Sequence, residues 1–231
     1  MNILAIDTSG LSASVAVVRD DRLLGEFFID LKLTHSQTIM PMLDKLLEVL
    51  ELTPREMDYI AVSSGPGSFT GLRIGAAAAQ GLAFAINKDI VPVPTIDVLA
   101  YNVINASGLV VPIMDAKRRQ VYSAVYAYES GSLKRLTDYL ADDLDEIFRI
   151  ADELANGRDI IFTGDGVEAY GEAIVEKGYL TAPPHLSRQR AAAVATLAVK
   201  FAVDGKAVSP DKFSPFYIRK PQAQRVLEEK C

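Results

Sequence analysis

The sequence predicts an α/β protein built as two consecutive strand-led lobes, and two observations carry that prediction. In the first half, three strand-like segments are followed by helix, strand, helix, strand and helix. In the second half the opening recurs: an apolar run closes on Asp115, 108 positions after one closes on Asp7, and each leads through a short polar turn into an alternating strand. Three strands followed by right-handed helical crossovers is the order of a ribonuclease-H-like lobe. The recurrence reads as an internal duplication of that architecture, with Ala16 over Ala124 and Val17 over Val125. The boundary falls near Ala106-Ser107-Gly108, giving lobes at 1–106 and 107–231.

Ile3 to Ile6 is a buried strand ending at Asp7, Ser12 to Arg19 alternates as the next, and Leu23 to Leu31 follows the hairpin at Asp20-Asp21. Thr34-His35-Ser36-Gln37 has the form of a capping box. Ile39, Leu43, Leu46, Leu47 and Leu50 continue at helical spacing, and Pro41 predicts a kink or a later start. Thr53-Pro54-Arg55-Glu56 is a second capping box with proline at the first helical position. Tyr59 to Ser63 is a strand, a glycine-rich loop leads into a helix ending near Ile86, Ile90 to Val93 is a strand, and Thr95 caps a helix to Ile104. In the second half the spacing predicts strands over Val110 to Met114, Gln120 to Tyr128 and Ile160 to Thr163. Helices are predicted over Asp142 to Leu154, Val167 to Lys177 and Gln189 to Val203.

Composition limits the function. The 231 residues are 49% hydrophobic and 23% charged, ordinary for a soluble domain. A net charge of −6 and a pI near 5.0 argue against a chain that grips nucleic acid alone, because phosphate contacts need a basic surface. The one cysteine, Cys231, allows no internal disulfide and fits a reducing cytoplasm. The opening residues lack the basic, then apolar, pattern of a secretory signal, and Gly71 to Ile86, interrupted by Arg73 and Gln80, reads as too short to span a bilayer. With two histidines, His35 and His185, and no histidine pair, a local zinc or iron site is not expected.

Ser63 to Gly75 is the most informative stretch. Gly65, Gly67 and Gly71 follow a strand and open a helix, a setting in which bare amides and a helix N-terminus attract an anion. The lysine of a Walker loop is missing, since Leu72-Arg73 follows Gly71, and Thr70 stands where a dinucleotide fingerprint needs glycine. The same residues equally make a tight strand-to-helix turn. Gly71, Gly75 and Ala79 recur every four residues and allow a close neighbour, either the sheet beneath or another chain. Asp7 and Asp115 stand at strand ends, where they serve as turn caps or as phosphate and metal acids. Ser68 has no nucleophile elbow and no base. Asp115-Ala116-Lys117-Arg118-Arg119 reads as a solvated hairpin turn.

Ile3 to Ser9, the long motif Gly65 to Gly75, Thr34-His35-Ser36, Asp115 to Arg118 with Val121-Tyr122, Gly164-Asp165-Gly166 and Pro215 to Arg219 together resemble the TsaB family, also called YeaZ, across nearly the whole chain. The resemblance implies the fold of the actin, hexokinase and chaperone-ATPase superfamily, with a degenerate second lobe. It implies a non-catalytic subunit that works with TsaD and TsaE in transferring threonylcarbamoyl to the adenosine beside the tRNA anticodon, in tRNAs reading codons that begin with A. TsaD would carry the metal and the transfer. Under this reading Asp7, Gly65, Gly67 and Gly71 are a vestigial phosphate site and there are no catalytic or metal residues. The chain binds no cofactor alone, leaving room for a nucleotide at the complex interface. Ile39, Met42, Leu46, Gly75, Ala78 and Ala79 form the face for TsaD or for a second copy of the chain. tRNA is met only through the complex, and no membrane is involved. Two other readings stand beside it: an active ATP-dependent phosphotransferase of the same superfamily, using Asp7 and Asp115, and a peptidase, for which the sequence supplies neither metal site nor triad.

Overall fold

The structure, a computed structural model, describes residues 1–218 except 32, 33, 105 and 118; Arg118, Arg219 and Cys231 therefore lie outside the described residues. In the first half β1 (Asn2–Asp7), β2 (Ala13–Arg19) and β3 (Arg22–Ile29) form an antiparallel meander. After α1 (His35–Val49), β4 (Tyr59–Gly65) joins β1 in parallel. α2 (Phe69–Ile86) then crosses to β5 (Asp89–Pro94), and α3 (Thr95–Tyr101) follows. The sheet order is β3-β2-β1-β4-β5, the arrangement predicted from the element order. β1 is apolar along its length because both of its faces are covered. Leu4 and Ile6 point into a core with α1 and α2, and Ile3 and Ala5 into a core on the opposite face.

The local signals are only partly used. Thr34 precedes α1 without a side-chain cap, so the first capping box does not form. Helix α1 runs through Pro41, which is exposed, while Ile39, Met42, Leu43, Leu46 and Leu47 face the sheet. The second capping box forms, with Glu56 accepting from the Thr53 amide at 2.7 Å, but on a single 3-10 turn, Pro54–Glu56. Thr95 does not cap α3: it is the helix's first residue, after Pro94, and its buried hydroxyl finds no partner among the described residues.

The second half runs β6 (Leu109–Asp115), β7 (Gln120–Ser123), β8 (Tyr126–Glu129), β9 (Ser132–Arg135), β10 (Leu140–Asp143), α4 (Leu144–Ala155), β11 (Ile160–Thr163), α5 (Gly166–Glu176), β12 (Leu180–Thr181) and α6 (Ala191–Val203). Its sheet path is β10-β7-β6-β11-β12, with β8 pairing β6 and β9 pairing β8. The strand expected over Gln120 to Tyr128 is broken at Ala124-Val125. The Val125 backbone turns away to the Thr137 hydroxyl at 3.1 Å and the Leu136 amide at 2.7 Å. β7 and β8 together stand where β2 stands in the first lobe, so the duplicated order is real in space. The residue matching is one position out: Asp7 faces Ser14 across its hairpin, whereas Asp115 faces Val121, one residue nearer. Ser123, opposite Ile113, therefore takes the place of Ala16, opposite Ala5.

The lobes exchange helices. α6, from the second half, packs Ala191, Val194, Ala195 and Ala198 against Ile3, Ala16, Val91 and Val93 of the first sheet. α3, from the first half, sets Ile96, Leu99 and Ala100 against Val110, Met114 and Tyr126 of the second. The sheets divide near residue 106, but each lobe has a wall supplied by the other. The segment before residue 218 also returns to the first lobe: Val208 bridges to Ile90, Phe213 enters the first core, and Gln80 binds the Pro210 and Phe213 carbonyls at 2.8 and 3.2 Å.

Candidate functional site

β1 ends on Asp7, which is wholly buried, and the turn after it meets Gln189 of the second half at Gly10. One carboxylate oxygen accepts the Ser9 amide and the Ser9 hydroxyl, both at 2.9 Å, and the other accepts the Ser63 hydroxyl. Burial pushes the carboxyl up from its usual range, against the pull of these donors. Both oxygens are engaged and water is excluded, so Asp7 holds a turn and does not present a charge to a ligand.

The glycine loop is filled by the chain itself. A side chain on Gly67 would strike the Ser9 carbonyl, one on Gly71 the Thr8 carbonyl, and one on Gly65, whose φ is 114°, the Phe216 carbonyl. Ser68 donates its amide to the Ser9 carbonyl at 2.8 Å and its hydroxyl caps the Gly71 amide at 3.2 Å. The Phe216 amide reaches the Ser64 carbonyl at 2.6 Å. Carbonyl oxygens of Thr8, Ser9 and Phe216 thus pack directly against the three glycine α-carbons. Asp7, Gly65, Gly67 and Gly71 are committed to contacts within the chain, and the glycines permit close backbone approach, in line with the packing reading of the motif.

Around the second strand end lies a polar group that the sequence singled out only in part. Asp115 accepts the Lys117 amide at 2.8 Å and its ammonium at 2.7 Å; burial works against ionisation, but these bonds outweigh it and hold the carboxyl below its usual range. Asp165, at the start of α5, accepts the side-chain amide of Gln189 at 3.1 Å. Arg188 bridges the lobes, binding Asp30 of the first at 2.7 Å and Glu168 of the second at 2.6 Å. Arg190 pairs with Glu26. Asn102 holds this segment by the Leu186 and Arg188 carbonyls at 3.1 and 2.7 Å. Gly164-Asp165-Gly166 was visible as a motif, whereas nothing in local pattern marks Arg188 or Gln189, whose partners are far away in the chain. Among the described residues no group of three metal-binding side chains converges.

Comparison with known proteins places this geometry. Residues 30–227 match the family profile described as TsaD: tRNA N6-adenosine threonylcarbamoyltransferase. The tRNA threonylcarbamoyladenosine biosynthesis protein TsaB of Bacillus subtilis is 34% identical over 81% of this chain and 83% of its own length. The chain belongs to the TsaB (YeaZ) family. The TsaB protein of Escherichia coli is 28% identical over the full length of both chains. The structure of YeaZ from Pseudomonas aeruginosa superposes with a TM-score of 0.79 at 26% identity, covering 94% of this chain and 99% of that one. Component A of the (R)-2-hydroxyglutaryl-CoA dehydratase of Acidaminococcus fermentans, at a TM-score of 0.54 and 13% identity, shares the fold alone.

The partner face that the TsaB resemblance suggested needs correction at the level of residues. Ile39, Met42, Leu46 and Ala79 are buried in the first core, and Gly75 sits against the Thr8 hydroxyl, where a Cβ would come to 2.5 Å. These side chains are the apolar stripe that covers the sheet, and no partner can reach them. Ala78 is half-buried against the same core. The outer stripe of α2 is instead Arg73, Ala77, Gly81 and Phe84, with Phe84 60% exposed, and Met40 is exposed on α1.

Proposed function

We propose that this chain is a non-catalytic subunit of the cytoplasmic machinery that makes threonylcarbamoyladenosine in tRNA, acting beside TsaD and TsaE and meeting tRNA only through that complex. The observation that supports the reading is the filled glycine loop: Thr8, Ser9 and Phe216 carbonyls pack against its glycines, and Asp7 is spent on Ser9 and Ser63. A chain of this superfamily fold whose own site is closed serves through its surface. Any nucleotide of the assembly then belongs at a subunit interface and not in this cleft. The outer stripes of α1 and α2 supply the face, with apolar Met40 exposed on the first and Phe84, Ala77 and Gly81 exposed on the second. The same face serves a second copy of the chain, and TsaD displaces that copy. The testing experiment gives the purified chain threonylcarbamoyl-adenylate and tRNA with and without TsaD. Modified adenosine is expected only with TsaD, and robust modification by this chain alone overturns the proposal. Nothing in the closed loop favours the phosphotransferase reading, which nucleotide hydrolysis by the purified chain would restore.

A further inference from the structure

Gln189 is wholly buried between the lobes. Its side-chain nitrogen donates to Asp165 Oδ2 at 3.1 Å, while Asp165 Oδ1 and Gln189 Oε1 have no partner among the described residues. The two orphaned oxygens thus belong to the two ends of one existing hydrogen bond. As long as Asp165 is ionised both are acceptors only, and buried acceptors without donors are costly. Turning the amide over exchanges its nitrogen and oxygen and leaves the same deficit of one donor. The space is closed on the first-lobe side, where a Cβ on Gly10 would come to 2.6 Å from Gln189 Cδ and 2.8 Å from its nitrogen.

We propose that Asp165 carries a proton at neutral pH and donates it to the Gln189 amide oxygen, so that a carboxylic acid–amide pair pressed against Gly10 seals the two lobes together. One proton answers both orphaned oxygens, and the contact with Gly10 leaves no room there for a bulkier group. The surrounding charges are committed elsewhere. Arg188 and the Asp115 backbone amide pull the Asp165 carboxyl toward ionisation; the guanidinium is already bound to Asp30 and Glu168. Lys117, on the turn it shares with Arg119, is paired with Asp115, and the Asp115 charge opposes a second one on Asp165. Arg190 is bound to Glu26, Tyr170 faces Asp115, and His35 contacts the Gly10 carbonyl at 3.0 Å. Burial is the largest influence on Asp165 and raises it, in agreement with the geometry.

The sign follows. Folding takes up a proton at Asp165, so its contribution is greatest below the ordinary aspartate range and falls as pH rises, by about tenfold in the folding constant per pH unit until Asp165 itself titrates. Asn is the isostere of the protonated acid and keeps the donor. Urea melts of the full chain and of Asp165→Asn between pH 5 and 7 test this. The variant is expected to gain about tenfold in folding constant over the parent per pH unit. Carbon-13 NMR of the parent's carboxyls, with Asp165 assigned through its backbone, needs no variant, and there Asp165 is expected to titrate well above the ordinary aspartate range. An Asp165 carboxyl that titrates near the ordinary value, or a variant-to-parent difference that does not change with pH, overturns the proposal. Stabilisation of the parent but not the variant by magnesium or potassium ions also overturns it, since the orphaned oxygens would then be cation ligands.

Discussion

Thr8 donates its hydroxyl to the carbonyl of Gly71 at 2.8 Å, and the Gly71 α-carbon lies so close to the Thr8 carbonyl that no side chain fits between them. The turn after the first strand and the first turn of α2 are thereby welded together. Residues 63 apart in the chain thereby close the glycine loop onto the turn after β1.

The first prediction tests that weld. Gly71→Ala forces the Thr8 backbone aside in a buried place and should cost about 1–3 kcal/mol by overpacking. Gly81→Ala, with nothing within 4 Å of the added carbon, removes a helix glycine and should stabilise by about 0.5–1 kcal/mol. Urea unfolding of both variants decides; equal effects would mean the close approach is not as drawn.

Asp7 is expected to be structural. In Asp7→Asn the Ser63 hydroxyl can turn to accept while the remaining oxygen keeps Ser9, so TsaD-dependent modification should stay within a few-fold of the parent. A folded variant that still binds TsaD yet loses about a thousandfold, roughly 4 kcal/mol in barrier terms, would show that Asp7 takes part in the chemistry.

The partner face separates two neighbours on one helix. Ala77→Arg places a charge on the outer stripe of α2 and should abolish self-association and TsaD binding, at a cost of several kcal/mol of association, without unfolding the chain. Ala79→Arg pushes the same group into the first core and should fail to fold. Sedimentation velocity and a TsaD pull-down check the first, circular dichroism the second. An Ala77→Arg chain that dimerises and binds TsaD normally would move the interface off α2.

Asp115 and Lys117 predict an acid dependence. Because the folded carboxyl lies below its unfolded value, its contribution is present above the unfolded value and is lost as pH falls toward the folded one. Lys117→Met removes the partner, so the variant should lose less stability than the parent between about pH 5 and pH 3. Thermal melts across that range are the check, and parallel curves would show that the pair contributes nothing.

Much of the fold was legible because it rests on short-range periodicity. β1 reads as a buried strand from four residues, α2 follows the glycine-rich loop after β4, and Asp115 repeats the position of Asp7. The break at Ala124-Val125 was not legible, since its cause is the hydroxyl of Thr137 across the sheet. β9, β10 and β12 are short and partly or wholly exposed, and they lack the apolar alternation that a strand shows when one face is buried. Within the site, the glycines are legible in the sequence but their use is not, because a loop that cradles an anion and one that packs against backbone require the same residues.

Local pattern alone sets the principal strands and helices, the repeat of the architecture and, through the Gly65 to Gly75 motif, the family. Only the tertiary structure decided what covers the glycine loop, which faces of α1 and α2 are free, and how Arg188, Gln189 and Arg190 tie the lobes. The physical reason is that periodicity fixes which residues of a helix turn inward together but not what they meet. Ile39 and Ala79 look equally suited to a sheet and to a partner until β1, β2 and β4 are in place beneath them. The contacts that close the site join residues far apart in the chain: Phe216 to Ser64 and Gly65, and Gln189 to Gly10. No local pattern encodes such a meeting, because it exists only once the sheets have formed and the lobes have exchanged α3 and α6.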